Sequence, residues 1–474
     1  MEEGWAWVGG CVRQGIIASV DRATEITFIS QALSSEPLID PGDYHRFYGN
    51  RFENELSDCT EIMRLELTKS HRGLFYQRFL TGHSGSGKST ELTRLSLVLE
   101  DKFEFIRLSA LHELSLFTTQ PFDLLEVMAI RLVEQAKVLG IELSGAVLQR
   151  LHDWFQEVTE RKASAISGSV SGEAEAGVSA PSLLQRVLKL GRTVKGEAKF
   201  SNSRSVENVR KRLQRLSDLT DLSNEIYDEA NRRLNQLNGK DWVFLIEDFD
   251  KDLVSGEVLD TLFVKYANTW PKHRMHLVCT IPLWLAFGER VSSLPFKRRT
   301  LVDIPVFDRH HRPHEEGRNR LRGILEKRVD HDLFEPNVRD YLIQAAGGNL
   351  RDMFAVVTEA ANYAEVTRHP RIAMLHAHRA VNWLRNEYIN RLGETSAENA
   401  IPYEQKADVL VKIYRGTEER VVQDRILYRL LRSRVVNEYN DTYWYGIPPL
   451  MVDILIQQGK LEPGSPGGLE PATL

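Results

Sequence analysis

Cysteine is scarce in this sequence. The 474 residues hold three, Cys11, Cys59 and Cys279. They are too few and too far apart for a disulfide framework or a zinc site, which fits a reducing cytoplasm. Long apolar runs are missing as well. No stretch approaches the roughly 20 residues that span a bilayer, and the acidic opening Met1-Glu2-Glu3 lacks the basic start of a signal peptide. A membrane is therefore not an expected partner, and a cytoplasmic location is expected. Strong net charge is absent too: the formal value is −5, so the chain as a whole does not advertise nucleic acid, and local basic segments must be judged separately. What remains is ordinary for a globular protein of two to four domains, 42% hydrophobic and 27% charged.

Against this background one stretch stands out, Gly82-His83-Ser84-Gly85-Ser86-Gly87-Lys88-Ser89-Thr90. It satisfies G-x-x-x-x-G-K-[ST], the phosphate-binding loop of P-loop NTPases. The glycines let backbone N–H groups turn inward around a phosphate chain. Lys88 brings a point charge to the terminal phosphates, and the Ser89 hydroxyl completes the shell of a magnesium ion. Context supports the motif. Leu74 to Leu80 reads as a strand leading in, and Ser89 to Leu99, with Leu92, Leu95, Leu97 and Leu99, reads as a helix leading out. ATP and Mg2+ are the expected ligands.

The chain divides around this loop. Residues 1–34 read as an N-terminal leader. Residues 35–110 and 241–310 make the expected ATPase core, interrupted by a mostly helical inserted arm, 111–240. Ahead of the loop, Tyr44, Phe47 and Tyr48 are candidates for a base platform, or else core residues. The arm contains an Ala/Gly/Ser/Glu-rich segment, 163–180. It then shows helical spacing from Ser205 to Leu237 with one phase slip, which predicts a long helix or two in tandem; at 1.5 Å per residue such an arm would reach roughly 50 Å. Residues 192–215 hold eight Lys/Arg against Glu197 and Glu207. This is a candidate DNA patch or a solvated helix face.

Trp242-Val243-Phe244-Leu245-Ile246-Glu247-Asp248 reads as a buried parallel strand ending in acids, the Walker B pattern. Glu247 is expected to hold the magnesium with Ser89, and Asp248 to orient or deprotonate the attacking water. The usual first acid is Asp; Glu247 departs from it, which argues for slow turnover. A further strand, Met275 to Ile281, carries Thr280 at its end as a candidate γ-phosphate sensor. Thr300 to Phe307 reads as a fifth strand, preceded by Lys297, Arg298 and Arg299. Arg298 or Arg299 is a candidate for reaching a neighbouring subunit's nucleotide.

Residues 311–370 read as a helical lid. Within it, Gly347-Gly348-Asn349-Leu350-Arg351-Asp352 ends one helix and starts the next, placing Arg351 in a first turn that can swing over the nucleotide. A connector helix (371–402), a winged-helix-like domain (403–460) and a Pro/Gly-rich tail (461–474), expected to be disordered, complete the chain.

These residues and their order resemble the AAA+ and STAND ATPases, which carry a GGN.RD stretch in the lid with a sensor-2 arginine at the position of Arg351. The loop from Gly82 to Leu92 is similar to that of bacterial ATP-binding proteins of the GHxGxGKSTEL type, whose genes often accompany effectors in phage-defence or mobile loci. The resemblance covers about residues 35–365, without a good match in the arm. It implies an α/β P-loop core, AAA+-like, with an α-helical lid, to which the residues themselves add the large helical insertion and the C-terminal winged-helix-like domain. It also implies an ATPase switch that self-associates with nucleotide and controls a separate effector protein. Two alternatives stay open: a DNA-binding ATPase of the initiator or transposition-regulator type, using residues 192–215 or the winged helix, and a scaffold that binds nucleotide without hydrolysing it.

Overall fold

The computed structural model describes residues 22–70, 75–166, 180–200, 206–286, 293–393, 401–416, 425–439 and 444–469. Most of the expected leader lies outside them, but its last part is packed, not loose. The Ala23 N–H donates to the Arg328 carbonyl at 2.8 Å, and Ala23, Ile29 and Leu33 are buried. Helix α1 (Ile29–Ala32) and α2 (Pro41–Phe47) follow. Asp40 caps α2 by accepting from the Asp43 N–H at 3.0 Å, with Pro41 in the first helical position.

Helix α3 (Cys59–Ser70) leads to β1 (Gln77–Thr81), the glycine loop, α4 (Lys88–Val98) and β2 (Phe103–Ser109). The insertion supplies α5 (Ala110–Glu113), α6 (Pro121–Val138), α7 (Gly145–Ile166), α8 (Ala180–Lys199), α9 (Val206–Gln214) and α10 (Leu216–Asn238). The core resumes with β3 (Asp241–Glu247), α11 (Gly256–Asp260), β4 (His276–Thr280) and β5 (Lys297–Thr300). The sheet is parallel throughout, in the order β2-β3-β4-β1-β5. Leu80 sits opposite Thr280, and Ile246 opposite Cys279. The C-terminal ends of β1, β3 and β4 thus meet along one edge, where open α/β sheets bind ligands. Every residue of β3 is buried, the reason its sequence runs apolar without alternation. This is an AAA+-like α/β P-loop core.

Two expectations are corrected here. The insertion is not a projecting arm. The helical phase slip is the break between α9 and α10, and α10 lies against α6 and β3. Its Tyr227 hydroxyl donates to the Trp242 carbonyl and accepts from the His276 N–H, while Leu219, Leu222, Ile226, Ala230 and Leu234 are buried. The apolar stripe marks a seam with the sheet, not a free arm. The fifth strand is Lys297–Thr300, not Thr300–Phe307, so Arg298 and Arg299 lie in it rather than before it. After Leu301, which donates to the Thr81 carbonyl at 2.7 Å, the chain leaves the sheet, and Ile304 N–H meets the Gly348 carbonyl at 3.2 Å.

The lid comprises α12 (Glu315–Glu326), α13 (Val338–Ala345) and α14 (Leu350–Val366), followed by α15 (Met374–Leu392). The C-terminal unit runs α16 (Tyr403–Arg415), α17 (Arg425–Arg432), an antiparallel hairpin of β6 (Asn437–Tyr439) and β7 (Trp444–Gly446), then α18 (Pro449–Gln457). Helix, helix, hairpin, helix is a winged-helix-like order. The tail is placed as far as residue 469. Leu469 N–H donates to Asp453 at 3.1 Å and Gln344 donates to the Gly468 carbonyl at 3.0 Å, so the expected disorder does not hold for 463–469. Among the described residues no helix is long and apolar enough to cross a membrane.

Candidate functional site

The glycine loop connects β1 to the N-terminus of α4, so four orphan helix N–H groups and the positive end of the helix dipole face the same concavity. Gly85 has φ +87°, and a Cβ there would lie 2.5 Å from Arg351 Cβ and 2.8 Å from Asn349 Oδ1. Only glycine allows the lid to approach the loop so closely. Lys88 is buried. Its ammonium donates to the carbonyls of Gly82 (2.9 Å) and His83 (2.8 Å) and pairs with Asp250 at 2.8 Å. Burial opposes both charges; at Asp250 the Lys88 ammonium outweighs it and holds the carboxyl below its ordinary range. The Thr280 hydroxyl donates to the same carboxylate at 3.1 Å. Ser86, within the loop, is fully buried, and Thr90 Oγ1 accepts from the Leu38 N–H at 3.3 Å, tying the N-terminal segment to α4.

The acids divide differently from the sequence expectation. Glu247 sits beside Ser89, which hydrogen-bonds its carboxylate, and beside Arg107 at 2.8 Å; burial pushes its carboxyl up, with Arg107 and Ser89 partly holding it back. A serine hydroxyl and a carboxylate in contact are hard oxygen donors of the kind magnesium takes, so these residues fit the ion. Ser89 and Glu247 would hold it, and it would supply charge neutralisation on phosphate oxygens. Asp248, expected to face the attacking water, has φ +72° and accepts from the Ser109 hydroxyl at the end of β2. The left-handed turn there aims Asp250 into the cleft instead, toward Lys88. Asp250 was visible in the sequence as the last acid of Glu247-Asp248-Phe249-Asp250, but which of three acids faces inward depends on that backbone turn.

The lid reaches the loop through the start of α14. Asn349 caps the helix by accepting from the Asp352 N–H at 3.2 Å, and its amide donates to the Ser84 carbonyl at 3.2 Å and to Asp303 at 3.1 Å. Arg351 donates to the Ser84 hydroxyl at 2.7 Å. Asp303, buried under this contact, has its carboxyl pushed up to about 6 by burial, with Arg51 and Asn349 pulling the other way. The C-terminal unit joins at the same point. Arg434, between α17 and β6, donates to the Ser84 carbonyl at 3.3 Å and faces Asp352 at 3.7 Å. Asp352 is also gripped twice by Arg391 at 3.0 Å and by the Tyr388 hydroxyl at 3.0 Å. The buried His83 ring bonds the Val436 backbone; burial first, then the Lys88 and Arg434 charges, push its pKa down to about 3, so it is neutral.

The cleft extends from Gly85, Gly87, Lys88 and Ser89 past Leu38, Phe47 and Tyr48 to Arg328 and Phe354. Of the three aromatic candidates, Phe47 and Tyr48 line it. Tyr44 does not line it; it stacks on Tyr48 with 4.7 Å between centroids. Two arginines that sequence reasoning missed also line it. Arg328 is buried over the rings of Phe47 (5.5 Å) and Phe354 (5.0 Å), and burial lowers its pKa to about 10. Arg51 donates to the Val302 carbonyl, and its buried Nη1 has no hydrogen-bond partner among the described residues. No local pattern marks either one; both become visible only when the N-terminal segment and the lid fold over the loop.

The remaining candidates are not brought to the cleft. Arg299 pairs with Glu66 on α3. Arg298 lies near Glu438 of the hairpin, which burial pushes up to about 7 against the pull of Arg298. Both trans-arginine candidates thus face partners within the chain. In the basic stretch, Arg212 pairs with the buried Glu126 and covers Phe122 at 4.0 Å, Arg215 pairs with Glu157, Lys195 with Glu134 at 2.8 Å, and Lys211 with Glu207 at 2.5 Å.

No protein-family model matches the chain, and no curated protein matches it. Among solved structures, it is similar to the Aeropyrum pernix ORC1 protein in complex with DNA (14% identity, 91% of this chain and 96% of that one, TM-score 0.35). It is also similar to the A. pernix ORC2 protein in ADPNP–ADP complexes (12%, 87% and 96%, 0.36) and to a Walker-type ATPase of Pyrococcus abyssi (12%, 90% and 99%, 0.36). At these identities and TM-scores the likenesses carry no functional argument; the description of the core rests on its own strand order and loop.

Proposed function

We propose that the protein is an ATP-driven switch. ATP with magnesium binds between the C-terminal edge of the sheet and the lid. Occupancy of the glycine loop is felt by the C-terminal unit, and assembly or slow hydrolysis changes what that unit presents to a separate effector. Antiphage defence is the setting that the resemblance of the loop implies. The observation that supports the reading is Ser84. This one loop residue is held by Asn349 and Arg351 of the lid and by Arg434 of the C-terminal unit. A phosphate chain entering the loop competes for Arg351 and for Lys88, which must leave Asp250, and so loosens the lid's hold on Ser84 beside Arg434.

The test is mass and hydrodynamic radius in solution, with and without ATP and magnesium, on the native chain and on Lys88→Ala and Arg434→Ala, with phosphate release followed in the same samples. The native chain is expected to change mass or radius with ATP. Lys88→Ala is expected to stay unchanged, and Arg434→Ala to show the changed form at lower nucleotide concentration or without it. A native chain that binds ATP but changes neither shape nor mass and releases no phosphate would be the scaffold. A nucleotide-dependent shift of labelled duplex would turn the reading to DNA. The acid partners of Lys195, Lys211, Arg212 and Arg215 speak against that outcome.

A further inference from the structure

Arg107 had no role in the sequence reading beyond its place in β2, yet it occupies the junction of the phosphate loop and the acidic strand. Its Nε donates to Glu247 Oε1 at 2.8 Å, one terminal nitrogen to Thr93 Oγ1 at 2.8 Å, and the other to the Ser89 carbonyl at 2.9 Å. A guanidinium is planar, so three short bonds in three directions fix it completely. The groups it joins are the first two turns of α4 and the last residue of β3. Ser89 bonds the same carboxylate with its side chain. Arg107 therefore bonds the residue that offers the metal-site hydroxyl and the residue that offers the metal-site acid.

The reason such a clamp is needed lies in the sequence departure at Glu247. Glutamate has one more rotatable bond than aspartate, and ordering a longer polar side chain costs more conformational entropy. An unclamped Glu247 would sample rotamers that take its carboxylate away from Ser89. We propose that Arg107 is a positioning residue for the divalent cation: by bonding Glu247 Oε1 and the Ser89 carbonyl, it keeps the Glu247 carboxylate against the Ser89 hydroxyl, where the ion's shell forms. This rests on the nucleotide-site reading above and adds to it the device by which a glutamate stands in for the shorter acid.

The experiment is binding of a fluorescent ATP analogue to the full chain, titrated with Mg2+, and repeated in EDTA. Partners of this kind typically change metal affinity 10- to 100-fold. In Arg107→Ala the Mg2+ concentration for half-maximal enhancement of binding is expected to rise about tenfold, with affinity in EDTA unchanged within about twofold. Arg107→Lys, which keeps the charge but cannot make three directed bonds, is expected to behave nearer to Ala than to the native chain. In a Glu247→Gln background Arg107→Ala is expected to add little, because the two act as one unit.

An unchanged Mg2+ requirement in Arg107→Ala and Arg107→Lys would overturn the proposal. A lowered requirement would overturn it too, since it would make Arg107 a competitor of the cation. If Arg107→Ala fails to fold, Arg107→Lys and the Glu247→Gln pair carry the test. A native chain that binds the analogue neither with Mg2+ nor without it would instead remove the nucleotide-site reading itself.

Discussion

The arginines of the inserted helices and those around the glycine loop stand in opposite situations. In the insertion, Arg212 and Arg215 each meet a carboxylate, and Arg212 also lies on an aromatic ring. Their charge is used up in holding helix to helix. Around the loop, Arg328 is buried and holds carbonyls, Arg51 holds a carbonyl with the charges of Glu91 and Asp303 acting on it, and Arg351 holds a hydroxyl. A buried guanidinium that meets only carbonyls and hydroxyls is poorly compensated for its desolvation, and it is well placed to meet an anion. A count of basic residues along the sequence would rank the two regions the other way round. The difference teaches that a basic run marks a site only when its charges are not used up in close ion pairs within the fold.

Three substitutions can break or sharpen this contrast. The largest expected effect is on folding: Arg212→Ala leaves the buried Glu126 with the Trp154 N–H but without a countercharge and should cost about 3 kcal/mol, seen as a lower midpoint in urea, with ATP affinity unchanged. If nucleic-acid binding fell while stability held, the insertion would be a nucleic-acid surface after all. Next, Arg51→Met should leave the urea midpoint much closer to native but weaken ATP binding about tenfold, the worth of one charge-assisted hydrogen bond. Equal loss in both measurements would make Arg51 structural, like Arg212.

The smallest effect is one of pH. Burial raises the Glu438 carboxyl from 4.5 to about 7, so the folded, docked form holds that proton more tightly than the unfolded chain. The stability this contributes is fullest below about pH 4.5 and is lost as pH rises through about 7. Stability measured across that window should fall for the native chain. It should fall less for Glu438→Gln, which cannot ionise against the interface beside Arg298.

How much of this could be read in the sequence follows the distance between interacting residues. The loop, the helix that follows it, β3 and the Asn349 cap are local patterns, and their boundaries came out within a few residues. β5 was displaced because Lys297-Arg298-Arg299-Thr300 reads as a charged turn, whereas charged residues are what an edge strand tolerates. The insertion was misjudged because an apolar stripe tells that a helix has a partner but not which; Leu219 to Leu234 found the sheet. Arg51, Arg107 and Arg434 could not be seen at all, since each acts on groups 14 to 350 residues away. That Asp248 meets Ser109 while Asp250 meets Lys88 could not be read, because a positive φ at Asp248 is a property of the turn, not of the residue type.

The contact between Arg434 and Ser84 joins residues 350 positions apart. Protein synthesis proceeds at about 5 to 20 residues per second, so roughly 20 to 70 s separate the making of the loop from the making of its last ligand. Throughout that interval the nascent chain carries the loop residues without Arg434, and for the first part of it also without β4 and β5, between which β1 lies. Of the groups that hold Ser84, the C-terminal unit's Arg434 is the last to be made.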